Sequence, residues 1–199
     1  MRSIRTELKT IANWIKPNSR VLDLGCGQGQ LLSYLQENHQ VTGYGVEIEQ
    51  KNIVASIENN INVIQADIEQ GLIGFEDNSF DYVIMSQTLQ ALRNTDSILE
   101  EMLRVGREGI VTFPNFGHWR SRLNILRGHM PITKSLPNAW YNTPNIHLCT
   151  LYDFEDLCKK RNFKILQRSI VDRKHRRRTF TKLMPNLLGE IALYRIQKL

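Results

Sequence analysis

The chain is poor in the residues that would commit it to a special class. Its three cysteines, Cys26, Cys149 and Cys158, are odd in number and scattered over 199 residues. They offer neither a disulfide framework nor a CxxC zinc spacing. The expectation is a reduced, cytoplasmic protein. No stretch approaches the roughly 18 apolar residues of a membrane span, and residues 1–14 lack the apolar centre of a signal peptide. No membrane is therefore expected as a partner. There is no internal repeat and no low-complexity linker. With 41% apolar and 23% charged residues, the composition is that of an ordinary globular domain, and the length suggests one.

The net charge of +6 hides a split: residues 1–100 carry −6 and residues 101–199 carry +12. Such a split marks either a surface for an acidic partner or two faces of one domain. The run RKHRRR at 173–178 is the densest cluster. It can bind phosphates, but the aromatic interleaving of nucleic-acid binders is absent. Solvated charge or docking on an acidic partner is the preferred reading, and nucleic acid is not expected.

Short apolar runs alternate with segments of helical period. Strands are expected at 20–24, 40–46, 62–65, 80–85 and 109–113. Helices are expected at 29–37, 50–59 and 96–105, the second with Ile53, Val54 and Ile57 on one face. This alternation predicts a parallel sheet covered on both faces. After Pro114 a helix is expected at 118–127. A proline- and aromatic-containing stretch at 128–149 then exceeds an ordinary connection. A helix starts at Thr150, with Asp153 completing a capping box. The β-like segments 163–171 and 190–197 suggest a closing antiparallel hairpin. The whole reads as a single domain over 1–199, with a lid or docking segment at about 115–149.

The strongest local signal is VLDLGCGQGQLL at 21–32. An apolar strand runs into Gly25, Gly27 and Gly29, and a helix follows. Glycine allows the positive φ angles of such a turn and removes the β-carbon that would block a ligand. A nucleotide-like group can then lie across the carboxyl ends of the strands. A dinucleotide fingerprint would need glycine at 30, where Gln30 stands. The pattern is instead D-x-G-x-G-x-G, starting from Asp23. Glu47 closes the second apolar run, at a distance suited to an acid that accepts from ribose hydroxyls. Charged hydrogen bonds of that kind contribute about 1.5–3 kcal/mol each. Glu49 is the rival acid.

These segments, with GVEIE (45–49), VIQADIE (63–69) and FDYVIMSQTLQAL (80–92), resemble the successive motifs of class I S-adenosylmethionine-dependent methyltransferases. The resemblance implies a Rossmann-like α/β fold with a seven-stranded, mostly parallel sheet in the order 3-2-1-4-5-7-6 and helices on both faces. It implies S-adenosylmethionine or S-adenosylhomocysteine as cofactor, contacted by Asp23, Gly25, Gly27 and Gly29. Ribose would be held at Glu47, with Ile48 beside it in the cofactor site, and adenine near Asp67 and Ile68, with Asp67 facing the exocyclic amine. Ser86 and Gln87 would line the methyl-donor end. Outside the shared motifs, EEMLRVGREGIVTFPNFGHWRSRL (100–123) and MPITKSLPNAWYNTPNIHLCTLYDFEDLC (130–158) resemble the methionine biosynthesis protein MetW family over almost the whole chain. That resemblance implies a role beside homoserine O-acyltransferase (MetX), which the family is thought to bind and support. The alternative is a methyltransferase acting on a small molecule.

A sulfonium is already activated, so aligning the acceptor can suffice and no base is required. The strand ending in Met85-Ser86-Gln87-Thr88 lacks the Asn/Asp-Pro-Pro-aromatic motif of nitrogen methylation. No Pro-Cys pair supplies a cytosine nucleophile. Cys26, within the turn, reads as a packing residue. His118, His147 and Tyr141 are the weak acid/base candidates, and the two histidines lack a third metal ligand. Asn115 and Phe116 are expected on the floor of the cleft. Trp119 and Trp140 could stack on an acceptor.

Overall fold

The computed structural model describes residues 6–133, 135–171 and 183–199. The basic run at 173–178 lies outside the described residues.

The elements follow the alternation expected from the hydrophobic pattern. They are α1 (Thr6–Ala12), β1 (Arg20–Leu24), α2 (Gln30–His39), β2 (Thr42–Glu47), α3 (Gln50–Glu58) and β3 (Val63–Gln65), then β4 (Phe80–Ser86), α4 (Thr95–Val105), β5 (Gly106–Pro114) and α5 (Trp119–Leu126). α6 (Leu151–Lys160), β6 (Phe163–Val171), α7 (Pro185–Leu188) and β7 (Ile191–Lys198) complete the fold. Short 3-10 turns at Ile68–Gln70 and Leu89–Ala91 follow β3 and β4.

The seven strands form one sheet in the order β3-β2-β1-β4-β5-β7-β6. β1 to β5 pair in parallel, and β7 inserts antiparallel between β5 and β6. The expected order and the closing hairpin are therefore both present. Strands buried on both faces need apolar residues at successive positions. β1 meets this demand: Val21, Leu22 and Leu24 are all fully buried. The pleat sends them to opposite sides. Leu22 and Leu24 join Val83, Met85, Val111 and Phe113 beneath Leu99 and Met102 of α4 and Phe154 of α6. Val21 joins Ile84, Ile110 and Leu193 beneath Ile11 of α1 and Leu35 of α2. The same alternation places Asp23 on the side of Val21, under α1 and α2.

α6 begins as its sequence requires. Thr150 accepts from the Asp153 amide, and the Asp153 side chain accepts from the Thr150 amide, closing the capping box. Three features depart from the sequence reading. α1 precedes the first expected element. β5 begins at Gly106 rather than 109, because Gly106 and Glu108 pair with Phe80 and Tyr82 before the apolar run starts. The expected apolar face of α3 is left largely in solvent: Ser56 is its buried residue, while Val54 and Ile57 stay exposed. α3 packs on β2, the three-residue edge strand β3 and, through Ser56, the glycine turn, at the margin of the sheet where no full apolar stripe is buried.

Phe113, Phe154 and Tyr194 form an aromatic core under α6. The Phe113 and Tyr194 rings stack 5.9 Å apart, and Phe154 lies 4.7 Å from Tyr194. Phe113 is fully buried, so Phe113→Ala leaves a void. A loss of about 3–5 kcal/mol is expected, read from urea unfolding followed by circular dichroism.

Candidate functional site

β1 stops at Leu24, and the chain turns through Gly25, Gly27 and Gly29 at φ 71°, 56° and 72°. The turn is held from β2 and α3. Gly25 and Cys26 donate their amides to the Val46 carbonyl at 2.8 and 3.1 Å. Gly27 donates to Glu47 Oε2 at 2.9 Å, and Ser56 Oγ donates to the Gly27 carbonyl at 2.9 Å. The glycines serve different ends. A β-carbon at Gly25 would lie 2.6 Å from Thr88 Oγ1, so that position makes room for the turn after β4. A β-carbon at Gly27 would meet nothing within 4 Å. Gly27 faces open space, as a position approached by a ligand must.

Beside Gly27 lies a cavity of about 190 Å3, lined by Asp23, Gly25, Cys26, Gly27, Gln30 and Ser86, with Leu8 of α1 at its side. Asp23 is the chemically unusual member. It is 2% exposed, and its Oδ1 has no hydrogen-bond partner. Burial, then the nearby Glu47 carboxylate, pushes its pKa up to about 7. An unpartnered buried carboxyl oxygen on a cavity wall suits a cationic or hydrogen-donating group.

Glu47 is placed differently. Its Oε1 accepts from the Ile48 and Glu49 amides at 2.8 and 3.0 Å. Its Oε2 accepts from Gly27 and, at 3.4 Å, from Asn52 Nδ2. The carboxylate therefore fastens the glycine turn, with the long Asn52 contact as the one readily exchanged for a hydroxyl. Ile48 is exposed beside it. Asp67 Oδ1 accepts from the Glu69 amide, capping the turn that carries the buried Ile68. That turn adjoins Glu47, whose carbonyl accepts from Ala66 at 3.2 Å. Ser86 Oγ shares a 3.3 Å hydrogen bond with Thr112 Oγ1. Gln87 follows at φ 60°, with its Nε2 buried and unpartnered. The structure thus brings Asp23, Gly25, Gly27 and Ser86 to one cavity. It sets Glu47 behind the turn and Asp67 beyond the end of β3. Leu8, Ser56, Asn52 and Thr88 also build the site. They carried no sequence signal, because each reaches it from a distant element.

A second cavity, of about 320 Å3, lies on the other side of the turn after β4. Leu89, Phe113, Phe154 and Leu157 give it apolar walls, and Arg93, Asp96, His147 and Asp153 stand around it. Gln90 Oε1 is buried there without a partner. Asp96 is engaged by Arg161.

The acid/base candidates are not assembled. His118 is buried and caps α5: its Nδ1 accepts from the Arg120 amide. Burial, then the Arg120 charge, lowers its pKa to about 4, so it is neutral at pH 7. His147 borders the second cavity, with Nε2 3.1 Å from the Arg93 carbonyl. Tyr141 is exposed, edge-on to Trp140. Burial, then Asp23, pushes the Cys26 thiol up to about 12, so it stays protonated. Asn115 was expected on the cleft floor. Instead its Nδ2 donates to the Asn186 and Gly189 carbonyls, and its Oδ1 accepts from Gly117. It ties β5 to α7, and its neighbour Phe116 donates its amide to the Cys149 carbonyl. Among the described residues no group of three metal-ligating side chains occurs.

The sheet order, with a glycine turn leaving its first strand and an acid closing its second, defines a class I methyltransferase-like fold. The structure matches that of an S-adenosylmethionine dependent methyltransferase from Mesorhizobium loti, with a TM-score of 0.71 at 14% identity, covering 98% of each chain. A family model, described as methionine biosynthesis protein MetW, matches residues 5–196, and the chain belongs to that family. It is 36% identical, over 96% of its length, to the bifunctional methionine biosynthesis protein MetXA/MetW of Rhodopirellula baltica. It is 26% identical, over 67% of its length, to a ubiquinone/menaquinone biosynthesis C-methyltransferase, UbiE, of Vibrio cholerae. The chain spans 32% of the first relative and 50% of the second.

The raised Asp23 pKa fixes a sign for stability against pH. Between about pH 4 and 7 the folded protein holds a proton that the unfolded chain releases. Stability contributed by this site is therefore full below pH 4 and falls as pH rises through 7. Asp23→Asn should flatten that part of the profile, by up to about 1.4 kcal/mol per pH unit. Urea midpoints at intervals from pH 4.5 to 8 read the difference; parallel profiles for the two proteins would contradict it.

Proposed function

We propose that the chain binds S-adenosylmethionine or S-adenosylhomocysteine at the glycine turn and serves methionine biosynthesis as a partner supporting homoserine O-acyltransferase (MetX). The observation that carries the cofactor reading is Asp23, with a buried, unpartnered oxygen on a cavity beside the open Gly27. The ligand's ammonium would supply the missing cation. Glu47 would offer Oε2 to a ribose hydroxyl by exchanging its long Asn52 contact. Asp67 and Ile68, on the turn adjoining Glu47, are assigned to adenine. Ser86 and Gln87 are assigned to the methyl-donor end. When bound, the cofactor supplies a methyl group already activated by its sulfonium.

The partnership draws on membership of the family and on the printed name of the Rhodopirellula relative, which joins the two functions in one protein. Since S-adenosylmethionine is made from methionine, a binder of this kind can report end-product level to an early step. Linkage then requires that cofactor and acyltransferase change each other's affinity by the same factor.

A small-molecule methyltransferase is the second reading. It is favoured by the second cavity, whose apolar walls could receive an acceptor. Labelled donor incubated with a metabolite extract distinguishes it: bound donor without any labelled product counts against transfer.

Ligand at 100 times its Kd adds about 2.7 kcal/mol of stability, which should raise Tm by about 5–10 °C. Glu47→Ala should shrink that rise. An unchanged rise would move the ribose to Glu49 or to another pose. The ligand ammonium favours ionised Asp23, so affinity should weaken as pH falls below 7, and Asp23→Asn should bind weakly at every pH. Calorimetric titration from pH 6 to 8 measures both. Repeating it with the acyltransferase present tests the linkage, and equal Kd values would leave the sensing role unsupported.

A further inference from the structure

Among the described residues, α5 leaves most of its apolar side chains uncovered. Of its eight residues, Ser121 alone is buried, while Trp119, Leu123, Ile125 and Leu126 all face solvent, the last 83% exposed. A helix this short is marginal in water without tertiary packing, and a face of large apolar side chains left uncovered is what a partner would cover. The chain beyond it continues the theme. Pro131 and Leu136 are buried anchors, but Met130, Ile132, Trp140, Tyr141, Ile146 and Leu148 are exposed. Trp140 and Tyr141 stand edge to face, 5.8 Å between ring centres, at 73% and 74% exposure. Ten of the twenty large apolar side chains exposed among the described residues fall between 119 and 148. That concentration separates this excursion from the scattered apolar residues any surface carries.

Its charge is one-sided. No Asp or Glu occurs from residue 109 to residue 152, whereas Arg120, Arg122, Arg127 and Lys134 do. Among the described residues, Arg120, Arg122 and Arg127 take part in no ion pair. Arg120 lies over the Trp119 ring at 5.2 Å, and Arg122 donates to the Gly117 carbonyl. Trp, Tyr, Met and Arg are the residues enriched in protein interfaces. Three described cations among ten exposed apolar side chains are too sparse for a phosphate track. A second copy docked through this same face would oppose cation to cation.

We propose that the acid-free excursion at 119–148, built of α5 and the proline-aromatic segment after it, is the docking surface for a protein partner whose matching face is apolar at its centre and acidic at its rim. This deepens the partnership proposed above and rests on it, naming the face of this chain that the acyltransferase covers.

The test uses the full chain and purified homoserine O-acyltransferase, with Kd measured by calorimetry at low and at physiological salt. Leu126→Ser on α5 and Trp140→Ser/Tyr141→Ser on the segment change exposed side chains, so melting temperatures should stay close to that of the unaltered protein. Each should weaken binding at least tenfold, as loss of a central aromatic or aliphatic anchor does. Arg127→Glu should weaken it with a smaller salt dependence. Ile57→Ser, in the exposed apolar residues of α3, is the control and should bind as before. Unaltered binding by the Leu126 and Trp140/Tyr141 variants, or loss confined to Ile57→Ser, would overturn the surface while leaving the partnership standing. No binding by the unaltered chain would overturn both.

Discussion

The site depends on one junction, where β2 takes hold of the turn leaving β1. The Val46 carbonyl accepts two successive amides, Gly25 and Cys26, and Glu47 accepts the next, Gly27. These are backbone donors that a tight turn would otherwise leave unpaired, and charge-assisted acceptance by a carboxylate is the stronger kind of bond. The register of β1 on β2, Asp23 opposite Gly45 and Leu24 opposite Val46, brings acceptor and donors level. Gly45 can pass close because it lacks a β-carbon: one there would lie 2.4 Å from Cys26 Sγ. The parallel pairing, the glycine turn and the acid at the end of β2 thus form one construction. The ligand space above Gly27 is what that construction leaves free.

Two carboxyls end up buried near each other as a result, and the fold treats them unequally. Glu47 accepts from three backbone amides. Asp23 is left with an open oxygen and an elevated pKa. A chain selected for stability alone would place an apolar residue at the end of β1, in line with Val21 on the same face. Retaining an acid there costs stability at neutral pH, and a cationic ligand group is the kind of partner that offsets such a cost. One carboxyl is spent fastening the turn, and the other keeps an open oxygen on the cavity wall.

Local features were legible in the sequence and long-range ones were not. The apolar runs marked each strand of the sheet, and the glycine spacing located the turn, because periodicity and φ preference act within a few residues. Thr150 and Asp153 announced α6 for the same reason. Residues whose role is set by a distant element misled. Asn115 and His118 sit after β5 and looked like cleft residues, yet one ties β5 to α7 and the other caps α5. Ile53, Val54 and Ile57 keep a helical period, yet Ile53 is only half-buried and Val54 and Ile57 are exposed, since α3 packs at the margin of the sheet. Glu47 was found as the acid of the second strand. Its grip on Gly27, twenty positions away, depends on strand pairing that no local pattern encodes.

The turn after β4 is where the cavity beside Gly27 and the proline-aromatic excursion meet. Thr88 packs on Gly25, and Ser86 lines the cavity. Gln90 donates to the Gln87 carbonyl, and its own carbonyl accepts the amides of Ile146 and His147, where the excursion returns to the fold. Gln87 adopts a left-handed conformation between them, which a non-glycine side chain holds only when its surroundings over-determine it. One five-residue turn therefore bears on a ligand site on one side and an unpartnered surface on the other. The hydrogen bonds of Gln90 tie the two sides through this one turn. Contacts of this kind are what the proposed coupling between a ligand beside Gly27 and a partner on the excursion would use.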